Sequence, residues 1–251
     1  MPNKHNNKEA VNEHIGKDQS GAADEAHQFQ AGNRSDRKED EWKHRAPYKI
    51  HDDDSKFPAK WKGGCHCGKV KYELSREKPL ASKRCHCHTC QRLHGAPFQW
   101  ACIFHKDDIN FVNGIHDIGW YDPSGKSNTH HLPCKVSCAF CRTPIMDEGR
   151  NMILLFPTLI EGIEKKEVRD NFKPTCHMFY NERAVDFTGD GIVKWDGIDN
   201  KSNLVDDDGN VLVKYEDGME EKEMDEKKRK YFDGLQDSHP ETARKEKDLK
   251  I

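Results

Sequence analysis

The sequence is poor in apolar residues. Only 34% of its 251 residues are hydrophobic, while 34% carry charge; an ordinary globular chain has roughly 45–50% apolar, on a slightly wider residue set, and about 25% charged. One core running through the whole chain is therefore excluded, and a folded middle diluted by polar tails is expected. No apolar run approaches the roughly 20 residues that span a bilayer, so no membrane association is expected. Residues 1–16 are polar and lack an apolar leader, which gives the expectation of an intracellular protein, cytoplasmic with the nucleus as a second compartment. A surplus of positive charge is also missing: 41 Lys and Arg stand against 44 Asp and Glu, a net −3. Nucleic acid is accordingly not an expected partner. The basic stretch from Arg34 to Arg45 is interrupted by Asp36, Glu39, Asp40 and Glu41, which spoils it as a phosphate-binding arm. No internal repeat is evident.

What is present lies mostly in the middle. Residues 1–56 form a polar tail with scattered apolar positions, expected to be disordered. Residues 57–200 hold most of the aromatics and all ten cysteines. Short alternating runs dominate there: Val70, Tyr72 and Leu74 against Lys69, Lys71 and Glu73, then Phe98, Trp100, Cys102 and Phe104. Met152 to Phe156 is continuously apolar, which fits a buried strand, and Met178 to Tyr180 and Ile192 to Trp195 add two shorter ones. Turn-forming clusters such as Asp122-Pro123-Ser124-Gly125 separate them, so a mainly β domain is predicted. One helical turn is expected over Thr89 to His94, closed by Gly95. Residues 201–251 form a charged extension. It contains a small hairpin about Asp206 to Asn210 and a surface helix within Met219 to Leu235, whose apolar stripe is only Met224, Tyr231, Phe232 and Leu235.

Ten cysteines stand out in so polar a chain. Seven fall into two pairs and a triplet: Cys65 with Cys67, Cys138 with Cys141, and Cys85, Cys87 with Cys90. In a reducing compartment such clusters indicate metal ligands rather than disulfides. Zinc takes thiolate in tetrahedral geometry; four protein ligands close a structural site, and three leave the open position that catalysis uses. Seven is four plus three. The simplest partition puts Cys65, Cys67, Cys138 and Cys141 on a structural zinc and Cys85, Cys87 and Cys90 on a second. Spacing leaves another arrangement open, in which Cys102, Cys134, Cys176 or one of His66, His86, His88 and His177 closes the second site. Cys134, four residues before Cys138, is also a competitor for the first site. Core packing is the expected role of Cys102 and Cys176.

The run Gly63-Gly64-Cys65-His66-Cys67-Gly68-Lys69-Val70-Lys71-Tyr72 resembles the opening of the glutathione-dependent formaldehyde-activating enzyme family, which includes centromere protein V. The block from Cys85 through Cys87 and Cys90 to Pro97 is similar to its second block, and Cys138 to Ile145 to its third. Pro174 to Phe179 is similar to its late proline–histidine strand, and Asp190-Gly191 to the turn after it. The resemblance covers about Trp61 to Ile198. It implies a β-tent of small antiparallel sheets pinned by zinc, shared in outline with methionine sulfoxide reductase B. It also implies the four-plus-three partition, with Cys85, Cys87 and Cys90 as catalytic residues carrying the catalytic zinc. The implied activity is a carbon–sulfur lyase step on a thiol such as glutathione and a small aldehyde such as formaldehyde, forming or cleaving S-(hydroxymethyl)glutathione. The chain departs from the family's usual pattern at Arg142 (usually Gly), Ser137 (usually aromatic) and Gln91 (commonly Arg).

A zinc held by three thiolates suits a soft sulfur ligand better than water, so a substrate thiol is expected in the fourth position. His86, His88 and His94 are the candidate proton carriers, and Arg92 is a candidate partner for a substrate carboxylate. Two other readings stand beside the enzyme: a non-catalytic zinc-stapled binding module, and a redox enzyme using Cys102, Cys134 or Cys176.

Overall fold

The structure, a computed structural model, describes residues 56–238, with side chains to 233. The expected polar tail at the N-terminus, and the end of the chain with Leu235's part in the helical stripe, fall outside what is described. The chain divides into two compact units. One contains described residues up to 82 together with 100–173; the other contains 83–99 and 174 onward.

The architecture is mainly β, as predicted. In the first unit a three-stranded antiparallel sheet has the order β1 (Trp61–Gly64), β2 (Lys71–Leu74), β5 (Ile109–Asn113). Alternation in β2 does what its sequence dictates: Tyr72 and Leu74 are buried while Lys71 faces water. A second antiparallel run pairs β4 (Gln99–His105) with β9 (Met152–Leu155), then β8 (Pro144–Glu148), β7 (Cys134–Cys138) and β6 (Ile118–Tyr121). The apolar run at β9 is covered on both faces. Ile153 and Leu155 join one core cluster, and Met152 and Leu154 join another. β4 behaves the same way: Cys102 and Phe104 enter the first cluster, Ala101 and Ile103 the second. The run expected to present one apolar face thus buries two. Each large side chain so enclosed contributes roughly 1.5–3 kcal/mol of hydrophobic burial.

The second unit contains β3 (Ala81–Cys85) from Lys83 on, β10 (Cys176–Met178), β11 (Val193–Trp195), β12 (Leu204–Val205) and β13 (Val211–Val213). Most pairings among the described residues are antiparallel, but β10 runs parallel to both of its neighbours, β3 and β11. β12 and β13 are the hairpin expected about Asp206 to Asn210. Helix α1 (His88–His94) ends on Gly95 in the left-handed region, φ 57°, whose N–H caps the carbonyl of Gln91. A short helix α2 (Lys166–Arg169) belongs to the first unit. The C-terminal helix α3 (Glu221–Ser238) starts two residues later than Met219 and buries Met224 completely; Tyr231 and Phe232 pack against the same core as Trp195 and Leu204. Its thin stripe is therefore a real packing face. Asp225 pairs with Lys228 and Arg229 on the outside.

Candidate metal centres

Two hairpin turns build the first centre. The β1–β2 turn carries Cys65 and Cys67, and Gly68 at φ 75° lets it close, with its N–H on the Cys65 carbonyl at 3.0 Å. The β7–β8 turn carries Cys138 and Cys141, and the Arg142 N–H bonds the Cys138 carbonyl at 3.0 Å. The two turns are joined by Thr143, whose hydroxyl accepts from the His66 N–H at 3.2 Å and lies 3.1 Å from Cys141 Sγ. Cys65 and Cys67 sulfurs are 3.5 Å apart, Cys67 and Cys138 3.8 Å, and all four lie within 4.8 Å of one another. Four sulfurs at about 2.3 Å from a tetrahedral zinc would be about 3.8 Å apart, so the donor set fits that ion. The Thr143 hydroxyl and N–H hold the Cys141 thiol down at about 5. The Val70 N–H reaches Cys65 Sγ at 3.3 Å. Donors aimed at sulfur favour the thiolates a metal needs.

Arg142 takes a left-handed backbone, φ 62°. That conformation explains why the related pattern has glycine there; this chain accepts strain at the knuckle.

The second centre is local. Cys85 ends β3, Cys87 is the N-cap of α1 and Cys90 lies in its first turn. The Cys90 N–H donates to Cys87 Sγ at 3.4 Å. The three sulfurs lie within 4.8 Å of one another, and among the described residues no further His, Cys, Asp or Glu joins them. Cys85 and Cys90 are buried against Met178 and Trp195, and Cys87 is partly open. Burial, then its two neighbouring thiols, push the Cys85 thiol well up, so the cluster would become three thiolates only with a cation to neutralise them.

Gln91 is a brace for this loop. Its side-chain N–H₂ donates to the carbonyls of His86 at 2.5 Å and Glu182 at 2.8 Å. The Glu182 carboxylate takes the His88 N–H at 2.9 Å and the His88 ring at 2.6 Å.

His86 does not belong to the sulfur cluster. In the β3–β10 register His177 faces Arg84 while Met178 faces Cys85. Alternation along the strand therefore sends Arg84 and His177 to one side and Cys85 to the other. His86 Nε2 lies 2.7 Å from His177 Nδ1, and His177 Nε2 lies 2.8 Å from Asp190 Oδ2. Burial works against the Asp190 anion, but hydrogen bonds from His177 and Lys194 overcome it and hold the carboxyl well below the usual range. An ionised carboxylate only accepts, so His177 donates from Nε2 and accepts from His86 at Nδ1. Burial, then the neighbouring His177, push His86 down to about 3, and burial also lowers His177; both shifts favour neutral rings. Arg84 lies over the Phe98 and Phe187 rings, and Arg183 over that of Tyr180. Sequence reasoning marked His177 as a possible fourth ligand and as part of a similar block, and Asp190 only as part of one; the structure takes His177 away from the sulfurs. The connection of both residues to His86 depends on a parallel pairing that spacing does not reveal.

The remaining expected residues fall elsewhere. His66 is exposed. Arg92 is exposed in the last turn of α1, and His94 lies in the same turn, half-buried. Cys102 donates to Ser82 Oγ at 3.3 Å in the core of the first unit, and Cys176 packs in that of the second, as expected. Cys134 does not compete for the four-cysteine centre; it is buried beside His130 and Glu148. All three cysteines outside the clusters are thus buried, which disfavours the redox reading.

No helix among the described residues is long and apolar enough to cross a membrane. No curated protein matches the chain. A structural-genomics crystal structure of a Rhodobacter sphaeroides protein is similar at 22% identity, covering 43% of this chain and 94% of that one, with a TM-score of 0.34. The sequence model of the glutathione-dependent formaldehyde-activating enzyme family matches residues 60–182, a span that holds all seven clustered cysteines. Residues 60–182 of this chain are a domain of the glutathione-dependent formaldehyde-activating enzyme family.

Proposed function

We propose that the protein is a zinc-dependent carbon–sulfur lyase-type enzyme that joins a glutathione-like thiol to a small aldehyde such as formaldehyde, or cleaves the S-hydroxymethyl adduct. The observation that carries this reading is the unequal ligand count: four sulfurs in one centre, three in the other, with no fourth protein ligand beside the three among the described residues. Cys65, Cys67, Cys138 and Cys141 hold the structural ion, and Cys85, Cys87 and Cys90 hold the catalytic one. A zinc ion there would supply one exchangeable position and lower the pKa of a sulfur bound at it.

In the forward direction the thiol gives up its proton, its sulfur electron pair forms the C–S bond, and the carbonyl π pair moves to oxygen, which takes up a proton. The reverse step returns both. Gln91 and Glu182 keep the cysteine loop in shape. Of the three candidate histidines, His86 is withdrawn into the buried chain with His177, whereas His88 is exposed beside Glu182 and is placed to exchange protons with solvent.

The test is thiol-dependent aldehyde turnover above the spontaneous rate, in wild type and Cys90→Ser. Activity in the wild type that falls to background in the variant is expected; equal turnover in both overturns the assignment. One observation favours a binding module instead: Phe140, at the tip of the four-cysteine centre, is 70% exposed, an aromatic surface of the kind partners use. Wild-type protein carrying both ions but inert toward every thiol–aldehyde pair would favour that reading.

A further inference from the structure

Cys134 is the one cysteine assigned neither to a metal centre nor to simple packing. It stands directly opposite Glu148 in the β7–β8 pairing, so the two side chains share a face. Both are fully buried. Glu148 Oε2 lies 3.8 Å from Cys134 Sγ and 2.8 Å from His130 Nε2, on the loop that leads into β7. The three ligand atoms fall within 4.8 Å of one another, the same limit that encloses each cysteine centre.

We propose that His130, Cys134 and Glu148 form a third cation site, for a zinc-class divalent ion, separate from the seven clustered cysteines. One imidazole, one thiolate and one carboxylate make a donor set of intermediate softness, which selects zinc and its neighbours over magnesium or calcium. The supporting contacts are those of a ligand set. Lys106, itself buried, donates to Glu148 Oε1 at 2.5 Å, which fixes the carboxylate and leaves Oε2 toward the histidine and the thiol. The Trp120 ring meets His130 edge-on, with centroids 5.2 Å apart, and limits the swing of the imidazole. The ion would replace the proton between His130 and Glu148 and that of the Cys134 thiol. Ligands on a tetrahedral zinc stand about 3.4 Å apart, so the 2.8 Å pair would open by about 0.6 Å. His130 is the partly exposed member and gives the way in. With water as fourth ligand, the ion would tie the 128–133 loop to two strands of the sheet.

The competing arrangement is a metal-free hydrogen-bonded triad, and metal counting separates the two. Full-length protein prepared with excess zinc and dialysed is compared with His130→Gln and Cys134→Ala by mass spectrometry of metal content. Each variant is expected to lose one zinc per chain. Because the reading is a difference, it does not depend on whether the three-cysteine centre is catalytic. Equal zinc in wild type and both variants overturns the proposal. Should a variant fail to fold, zinc-edge anomalous diffraction from wild-type crystals decides: a peak within bonding distance of His130 Nε2, Cys134 Sγ and Glu148 Oε2 supports the site, and its absence there overturns it.

Discussion

The two cysteine centres use the same donor atom and differ in how the chain supplies it. In the four-sulfur centre Cys67 and Cys138 are separated by 71 residues, whereas Cys85, Cys87 and Cys90 come from one loop and the first turn of α1. Cross-linking two points lowers the entropy of the unfolded chain by an amount that grows with the loop closed. On the scale derived for disulfides, a 71-residue loop gives about 4 kcal/mol and a six-residue loop about 2. A metal on the long-range set therefore staples two hairpins that would otherwise separate. One on the local set adds less to stability, because backbone geometry has already brought its ligands together. On the proposed reading, the local centre is the one that leaves a coordination position to a substrate.

The strongest way to break this comparison is to remove one ligand from each centre. Cys138→Ser should abolish cooperative folding of the first unit, since structural zinc contributes on the order of 10 kcal/mol of folding free energy and natural domains are stable by only about 5–15. Cys87→Ser should leave the protein folded and lose thiol–aldehyde turnover. Circular dichroism with thermal melting checks the first and the activity assay the second. Equal loss of structure in both variants would mean that both centres are staples.

Acid should sharpen the contrast from another side. His177 is lowered, chiefly by burial, and Asp190 is also lowered. In both, the unfolded chain binds protons more readily than the folded one. Their stabilisation is then fully present above the unfolded values, about 6.5 for histidine and 3.9 for aspartate, and is lost as pH falls below them. His177→Asn should flatten the fall of stability below pH 6.5, by up to about 1.4 kcal/mol per pH unit for one proton. Denaturant midpoints measured from pH 7 to 4 read the slope; unchanged slopes would remove His177 from the acid response.

Gln91→Ala tests the brace beside the local centre. It removes donors to two backbone carbonyls, His86 and Glu182, and should cost about 1–2 kcal/mol. The loop holding Cys87 and Cys90 should loosen, lowering turnover more than stability. Activity unchanged alongside a lowered melting temperature would make Gln91 purely structural.

What the sequence disclosed follows from range. The β runs about Tyr72 and Ile153, the helix closed by Gly95 and the hairpin about Asp206 to Asn210 are local patterns, and the structure has them. The two cysteine sets were legible because pairs at tight turns and a triplet in one loop are themselves local, and only their number had to be matched. The rest depends on non-local pairing. β10 is parallel to β3, which joins His177 to His86 across 91 residues. Burial of both faces of β4 depends on layers that its own alternation does not encode. Cys134 looked like a rival ligand by spacing, yet pairing across β7–β8 brings it to Glu148, and no short-range signal carries that information.

The smallest effect is also the most specific to this chain. Arg142 follows the second cysteine pair at φ 62°, where an L-residue with a side chain pays about 1–2 kcal/mol relative to glycine. Substituting glycine relieves that strain but adds freedom to the unfolded chain, an offset of about 0.4–1 kcal/mol. Arg142 is exposed, so little packing is lost. The net expectation for Arg142→Gly is a gain of about 0.5–1 kcal/mol, read as a higher denaturant midpoint with the same slope. The gain should be confined to the long-range centre: turnover at the local one should not change, because Arg142 lies on the turn that carries Cys138 and Cys141. A stabilised but inactive variant would show that the two centres are coupled and that the division into staple and reactive site is too sharp. A destabilised one would mean that Arg142 makes a contact outweighing its backbone strain.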